Sequence, residues 1–247
     1  LPRASYKRMK LTIIETGKPP LEIRDRYPGY PAMFEGLLAP AAPALTFEAI
    51  ALTDGEALPD PATLEAVLIT GSPAGVYDPE PWMPSLMDFI RWCAAEGVPQ
   101  VGICFGHQAI AQALGGAVAK SDKGWGVGRH SYDVVSAPTW MGTPSPDTFS
   151  LLVSHQDQVL SAPPGARSVA SSEFAPCAAL HYDTVPAISV QGHPEFSPAF
   201  AADLYRLRRA RIGETLAEEA IASVETPADG SAVAEWIARF LAQAPSD

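Results

Sequence analysis

One stretch constrains the fold more than any other: an apolar run that ends in a cysteine with a glycine on either side. It reads Val-Gly-Ile-Cys-Phe-Gly-His-Gln over 101–108, and an alanine-rich segment follows over 109–114. This order predicts a strand, a sharp turn and a helix, with Cys104 on the turn and with Gly102 and Gly106 letting strand and helix approach closely. A helix N-terminus favours negative charge, and the thiolate is the reactive form of cysteine. The pattern therefore predicts a nucleophile at Cys104, although an inert core cysteine also fits it.

Strands and helices alternate through the first half of the chain. Nearly continuous apolar runs predict buried strands, and apolar residues at helical spacing predict helices. The predicted strands are 11–15, 46–52, 64–70 and 101–103, the last of which ends at the sharp turn, or elbow, that carries Cys104. The predicted helices are 32–38, 82–96 and the one after Cys104. This order predicts an α/β fold with a mostly parallel, doubly wound sheet, in which ligands bind beyond the carboxyl ends of the strands. The loop 71–75 and the elbow both follow such ends.

The second half reads differently, with short strand candidates and few helices between them. The candidates lie at 117–119, 127–135, 151–153, 168–170, 178–182 and 187–191. Because antiparallel strands need only short connections, we expect a small antiparallel extension that returns to the main sheet at its last strand.

Helices are predicted in the C-terminal part, 198–247, including 198–212 and 230–243. The first of these carries a basic run, which we interpret as a solvated face. The run comprises Arg206, Arg208, Arg209 and Arg211. Residues 9–247 are interpreted as one domain, and 1–8 as an expression remnant or an extended N-terminus.

Composition narrows the class of protein. The 247 residues are 47% hydrophobic and 18% charged, which suits a chain with a sizeable core. A net charge of −11 without a basic stripe disfavours nucleic acid as a partner. No uncharged apolar run is long enough to span a bilayer, and three scattered cysteines indicate a reduced, cytoplasmic setting. The five histidines lack metal-ligand spacing, so no metal and no other cofactor is expected.

A histidine and a carboxylate follow the last predicted strand. The chain reads Gln-Gly-His-Pro-Glu over 191–195, and Pro194 favours an extended backbone at His193. In an extended segment residues i and i+2 share a face, so His193 and Glu195 can face the same edge of the sheet. With Cys104 they would supply a nucleophile, a general base and a carboxylate that orients the imidazole.

These motifs together resemble those of the class I glutamine amidotransferase family, above all the amidotransferase domain of GMP synthetases. The resemblance rests on Gly-Ile-Cys-Phe-Gly-His-Gln at 102–108, His-Pro-Glu at 193–195, Thr-Gly-Ser-Pro at 70–73 and Ser-His-Gln-Asp at 154–157. It covers residues 9–205 and implies the flavodoxin-like fold of that family, with a nucleophile elbow.

The resemblance also implies a role for each matching residue. Cys104 attacks the side-chain amide of glutamine and forms a thioester, His193 moves the protons, and Glu195 holds the imidazole. The backbone N–H groups of Ser72 and Phe105 form the oxyanion hole. The substrate-binding residues are Gly71, Gln108, His155, Gln156 and Asp157, with the acid assigned to the substrate's ammonium group.

Departures from the family pattern leave the reaction open. Ser72 stands where the family often has glycine, and no P-loop is present, so an ATP-dependent step would need a synthetase subunit in trans. Three alternatives remain: a glutaminase-type amidotransferase that releases ammonia, a γ-glutamyl peptidase acting on γ-glutamyl peptides or glutathione conjugates, and a non-catalytic regulatory homologue. The expected substrate is a small molecule, and neither nucleic acid nor a membrane is an expected partner. Trp125, Trp140 and the loop 136–148 are candidates for covering the site.

Overall fold

The computed structural model describes residues 8–243 of the protein. The strands in this range are Met9–Glu15 (β1), Leu45–Ala51 (β2), Ala66–Ile69 (β3), Gln100–Ile103 (β4), Ala117–Lys120 (β5), Gly126–Val134 (β6), Thr148–His155 (β7), Asp157–Ser161 (β8), Ala166–Ser171 (β9), Ala179–Tyr182 (β10) and Ala187–Val190 (β11). The α-helices in it are Leu21–Arg24 (α1), Tyr30–Leu38 (α2), Met83–Ala95 (α3), Phe105–Ala113 (α4), Pro198–Ile212 (α5), Glu214–Ser223 (α6) and Gly230–Gln243 (α7). None of these helices is long and apolar enough to cross a membrane.

Nine of the strands form one sheet, in the order β2-β1-β3-β4-β11-β10-β9-β6-β7. The first five are parallel to their neighbours, and from β11 onward every pairing is antiparallel. Strands β5 and β8 form a separate antiparallel pair. The predicted α/β fold, with a doubly wound parallel sheet and an antiparallel extension, is confirmed. The extension contributes four strands to the main sheet, because β6, β7, β9 and β10 continue it beyond β11.

The parallel half of the sheet is buried on both faces. Alternate residues of β1 belong to two different cores: Leu11 and Ile13 pack on the side of α2 and α7, whereas Ile14 packs on the side of α3 and α4. Strand residues alternate between faces, so a strand covered on both sides must be apolar at nearly every position. This explains why these strands read as continuous apolar runs.

Several elements differ from the sequence expectation. Residues 16–31, where neither a strand nor a helix was predicted, contain the one-turn helix α1 and the start of α2. The motif 154–157 includes the end of β7 and the start of β8, a strand that was not predicted because its first residues are polar. Helix α6 was not predicted as a separate element. It begins after Gly213, which has a φ of 99° and breaks the helix there. Residues 1–7 and 244–247 lie outside the described range.

The antiparallel extension bends back towards the parallel half. The backbone N–H of His193 donates to the carbonyl of Leu152 on β7 at 2.8 Å, an isolated antiparallel bridge. Helix α5 packs on the other side of β7, where the Tyr205 hydroxyl donates to the Val153 carbonyl at 2.8 Å. The end of β7 and the helix behind it therefore lie beside the segment that follows β11.

Candidate active site

Cys104 occupies a strained turn between β4 and α4. Its φ of 53° and ψ of −101° make it the one residue other than glycine with a positive φ within 8–243. The turn is held by the neighbouring strands: the N–H of Cys104 donates to the Val190 carbonyl at 2.9 Å, and that of Gly106 donates to the Thr70 carbonyl at 3.1 Å. A conformation of this kind costs about 1–3 kcal/mol and persists only where the surroundings enforce it. The thiol is thereby presented at the start of a helix.

The two glycines around Cys104 are required for close packing rather than for a left-handed backbone. Neither has a positive φ. A Cβ on Gly102 would lie 2.6 Å from the carbonyl oxygen of Gly106, and a Cβ on Gly106 would lie 2.2 Å from that of Ile69. Any side chain at these positions would push α4 away from β3 and β4. The helix start and the strand ends are therefore held at a fixed spacing.

His193 and Glu195 form a buried pair. The His193 Nδ1 lies 2.7 Å from the Glu195 Oε1, and their side chains are only 5% and 1% exposed. The ring of His193 stacks on Phe196, with centroids 3.8 Å apart and planes 7° apart. Two contacts thus fix the imidazole: the carboxylate sets which nitrogen carries the proton, and the aromatic ring sets the plane.

The charges around His193 favour its protonated form. Burial by itself lowers the pKa of this imidazole, but the charges of Glu195 and Cys104 and hydrogen bonds to both raise the pKa well above its ordinary value. For the other two thiols burial outweighs a backbone hydrogen bond and raises the pKa, to about 12 for Cys93 and in the same direction for Cys177. Of the cysteines, only Cys104 therefore has an imidazolium beside it.

A chain of amide groups leads from the nucleophile to the far wall of the site. Gln191 Nε2 donates to Cys104 Sγ at 3.7 Å, and its Oε1 accepts from Gln108 Nε2 at 3.2 Å. The same Gln108 nitrogen donates to the backbone carbonyl of Asp157 at 2.8 Å. Sequence reasoning singled out Gln108 and missed Gln191. Its position directly after β11, at the carboxyl edge, is the signal that could have found it.

The two backbone groups expected to form the oxyanion hole lie at the ends of β3 and β4. Neither the Ser72 N–H nor the Phe105 N–H donates a hydrogen bond to any residue in 8–243. The side chain of Ser72 accepts a hydrogen bond from the Ala74 N–H at 3.1 Å. A Cβ on Gly71 would lie 2.9 Å from the His193 ring and 3.8 Å from the Cys104 Cβ, so this position must be glycine.

A cleft of about 220 Å³ opens above Cys104. The predicted residues that line it are Ser72, Cys104, Gln108, His155, Gln156 and Asp157. The remaining predicted residues lie around the nucleophile without lining the cleft: Gly71, Phe105, His193 and Glu195. The structure thus gathers residues from the ends of β3, β4, β7 and β11 at one edge of the sheet.

Asp157 and His155 are held firmly on one wall of the cleft. The Asp157 Oδ1 accepts a hydrogen bond from the Tyr77 hydroxyl at 2.8 Å, and its backbone carbonyl accepts one from His155 Nδ1 at 3.0 Å. Burial lowers the pKa of His155 to about 3, so this imidazole is neutral and presents no charge. Asp157 is the acid that this wall offers to a positively charged group.

Two of the four arginines of α5 line the cleft. Arg206 and Arg209 do make exposed ion pairs on the outside of the helix, but Arg208 and Arg211 line the cleft. Trp125 lines it as well, beneath the Arg211 guanidinium at 5.5 Å. Arg211 is exposed, as expected of a solvated face, whereas Arg208 is partly buried against Ser154 because α5 packs against β7, which the sequence does not show.

The other proposed covering elements lie elsewhere. Trp140, in the loop 136–148, packs against Trp236 and donates its indole N–H to His181 Nδ1 at 3.1 Å.

Within residues 8–243 no group of three or more histidine, cysteine or acidic side chains is arranged to hold a metal ion.

Several known proteins are similar to this chain in sequence. A glutamine amidotransferase-like protein of Schizosaccharomyces pombe is 27% identical over 246 residues, which cover 94% of this chain and 98% of the relative. Gamma-glutamyl peptidase 4 of Arabidopsis thaliana is 28% identical over 230 residues, 89% of this chain and 90% of the relative. A glutamine-hydrolysing GMP synthase of Thermomicrobium roseum is 35% identical over 138 residues, 53% of this chain but only 23% of the relative.

The fold and the family model agree. The crystal structure of a glutamine amidotransferase from Thermotoga maritima superposes with a TM-score of 0.74 and 20% identity, covering 96% of this chain and 99% of that one. The model of the family described as glutamine amidotransferase class-I matches residues 49–205, a segment that contains Cys104, Asp157, His193 and Glu195. The chain therefore belongs to the class I glutamine amidotransferase family.

Proposed function

We propose that the protein hydrolyses the γ-amide bond of a γ-glutamyl compound through a thioester on Cys104. The observation that carries this proposal is the pairing of a strained elbow cysteine with a buried His193–Glu195 dyad, within a cleft. A nucleophile, a base and an orienting carboxylate are the minimum set for acyl transfer by a thiol. Membership of a family of amide-hydrolysing enzymes supports the same reaction type.

The reaction proceeds in two halves. In the first, Cys104 Sγ attacks the γ-carbonyl carbon, the carbon–nitrogen bond breaks, and the departing nitrogen takes a proton from His193. In the second, water attacks the thioester carbon and gives a proton to His193, glutamate is released, and the thiolate is restored. The unpaired N–H groups of Ser72 and Phe105 are available for the oxyanion in both halves, and each such donor typically contributes about 10²–10³ in rate.

The other predicted residues bind the glutamyl group. Asp157 accepts from the α-ammonium group, since it is the lining acid that Tyr77 holds in place. The Gln108 side chain is fixed by the Asp157 carbonyl and by Gln191, so it supports this wall while bordering the cleft. Gln156 and His155 complete the polar lining, and Gly71 leaves room for the scissile group beside His193.

The leaving group distinguishes two candidates. If it is ammonia, the protein is a glutaminase-type amidotransferase, acting alone in the cytoplasm or supplying a synthetase subunit in trans. If it is an amino acid or peptide, the protein is a γ-glutamyl peptidase. The second candidate is favoured by the length of the similarity, because the match to the Arabidopsis peptidase spans 89% of this chain and the match to the GMP synthase spans 53%.

Steady-state assays on purified protein test the proposal. We expect release of glutamate from glutamine or from γ-glutamyl dipeptides, and loss of that activity in Cys104→Ser and in His193→Ala. Cys177→Ala is the matched control, since this thiol is also buried but lies outside the cleft. Turnover of neither substrate class, or full activity of Cys104→Ser, would overturn the proposed reaction. A non-catalytic homologue would show the first of these results.

A further inference from the structure

The cleft has a positively charged wall that the proposed reaction leaves unused. Arg208 and Arg211 line it together with Cys104. The neighbouring arginines of α5 are neutralised by acids: Arg206 lies 2.8 Å from Asp203, and Arg209 lies 2.6 Å from Glu214. Neither Arg208 nor Arg211 forms a salt bridge with any residue in 8–243. Of the four arginines of α5, the two that line the cleft are thus the two without a salt bridge to any residue in 8–243.

Both groups are held in place. Arg208 Nη1 donates to the Ser154 Oγ at 2.7 Å, which leaves most of its five N–H donors for another partner. Arg211 lies over the Trp125 ring at 5.5 Å. Burial, and after it the nearby positive charge of Arg211, lowers the pKa of the Arg208 guanidinium. An anion bound between the two groups would stabilise their charged forms. A fixed, partly buried guanidinium group such as that of Arg208, with a second positive charge beside it, is well suited to bind a carboxylate.

The wall adjoins the part of β7 that binds the backbone of His193. Ser154, which accepts a hydrogen bond from Arg208, lies on β7 two residues after Leu152. The Leu152 carbonyl accepts a hydrogen bond from the His193 N–H. His193 protonates the departing nitrogen in the proposed reaction, so atoms beyond that nitrogen extend towards β7 and α5. The acid assigned to the glutamyl ammonium, Asp157, is instead held by Tyr77 from the loop after β3.

We propose that Arg208 and Arg211 form a subsite for a carboxylate carried by the leaving amine, which makes γ-glutamyl amino acids and peptides better substrates than glutamine. The inference rests on the proposed thioester reaction. The same carbon–nitrogen bond breaks, the nitrogen takes the His193 proton and leaves as the amino group of an amino acid, and water then releases glutamate from Cys104.

Two substrates that differ only in this carboxylate test the subsite: γ-glutamylglycine and γ-glutamylglycinamide. For the unmodified protein we expect kcat/KM to be about tenfold or more higher for γ-glutamylglycine, as for one charge-assisted contact. Arg208→Gln and Arg211→Gln should each remove most of that preference, mainly by raising KM for γ-glutamylglycine. The amide substrate should be unaffected. Arg206→Gln, on the same helix but paired outside the cleft, is the matched control.

The outcomes separate this inference from the proposed function. Equal kcat/KM for the two substrates in the unmodified protein overturns the subsite and leaves the thioester reaction standing. An equal loss on both substrates in the two arginine variants also overturns it, because the arginines would then hold the α-carboxylate that both share. No turnover of these substrates or of glutamine overturns the proposed function and the subsite with it. Arg211→Gln keeps the test valid if Arg208→Gln fails to fold, since Arg211 is exposed.

Discussion

The parallel and antiparallel halves of the sheet contribute to the site in different ways. In the parallel half, Cys104 and Gln191 directly follow β4 and β11, so the register of neighbouring strands sets their positions. In the antiparallel half, Arg208 reaches the cleft from α5 with a long side chain that a single hydroxyl of β7 secures. A reacting centre on strand ends is rigid, whereas a wall of long side chains is easily changed. The residues proposed for the reaction and those proposed for the leaving group can therefore be changed separately.

The largest effect is expected from breaking the dyad attached to the parallel half. Glu195→Gln keeps the shape but removes the charge that orients His193 and favours its protonated form. We expect kcat to fall by about 10³-fold or more, with an unchanged fold, measured by steady-state kinetics and circular dichroism. Glu214→Gln, an exposed acid on α6, should leave kcat unchanged. A kcat of Glu195→Gln within a few-fold of the unmodified protein would contradict the assigned role.

Rigidity of the parallel half is tested by adding one methyl group. Gly106→Ala places a Cβ 2.2 Å from the Ile69 carbonyl oxygen, and this backbone contact cannot relax without moving α4. We expect the free energy of unfolding to fall by about 3 kcal/mol in urea denaturation. Gly36→Ala is the matched control: it lies within α2 with nothing within 4 Å, and should raise that free energy by about 0.5–1 kcal/mol. Similar results for the two variants would show that close packing at the elbow is unimportant.

Each half of the sheet has a buried histidine that makes the stability of the fold depend on pH. Burial lowers the pKa of His107 on α4 and of His155 on β7 to about 3, from 6.5 for an exposed histidine. Below pH 6.5 the unfolded chain binds a proton at each of these histidines and the folded protein does not. The free energy of unfolding therefore decreases as the pH is lowered. The loss is about 1.4 kcal/mol per pH unit for each histidine. Between pH 7 and pH 5 we expect His107→Gln to lose about 2 kcal/mol less stability than the unmodified protein.

Urea denaturation at the two pH values measures this difference. The readout is the change with pH, so a constant loss of stability from the substitution itself does not matter. The same loss in the variant and in the unmodified protein would mean that His107 is protonated in the folded state.

The smallest effect is expected on the recognition side. Asp157→Asn removes the charge offered to the substrate's ammonium group while keeping an acceptor for Tyr77. We expect KM for glutamine or γ-glutamyl dipeptides to rise about tenfold, with kcat within about threefold. Tyr77→Phe should shift KM in the same direction by less. A loss of kcat with an unchanged KM in Asp157→Asn would place Asp157 in the chemical step instead.

Local patterns were enough to predict the parallel half and to bring Cys104, His193 and Glu195 together as candidate reacting residues. Each of the two motifs has its own local signal. The turn at Cys104 is marked by an apolar run and two glycines, and the dyad by a proline between His193 and Glu195. The antiparallel half was predicted less well, because β8 begins with polar residues and β7 extends beyond its apolar centre. Strand propensity is weak where one face of a strand is polar, so tertiary pairing sets those boundaries.

The order of short motifs in the chain is sufficient to specify a doubly wound fold, a cysteine at a strand-to-helix turn, and the histidine and carboxylate proposed to act with it. These features are encoded locally, since each follows directly from the end of a strand. The positively charged wall is different. Arg208 and Ser154 are 54 positions apart, and they meet only because β7 bends back to His193 and α5 packs behind it. The sequence of a helix does not show which of its polar faces another element covers. The side of α5 that borders the cleft is therefore set by the packing of the whole chain.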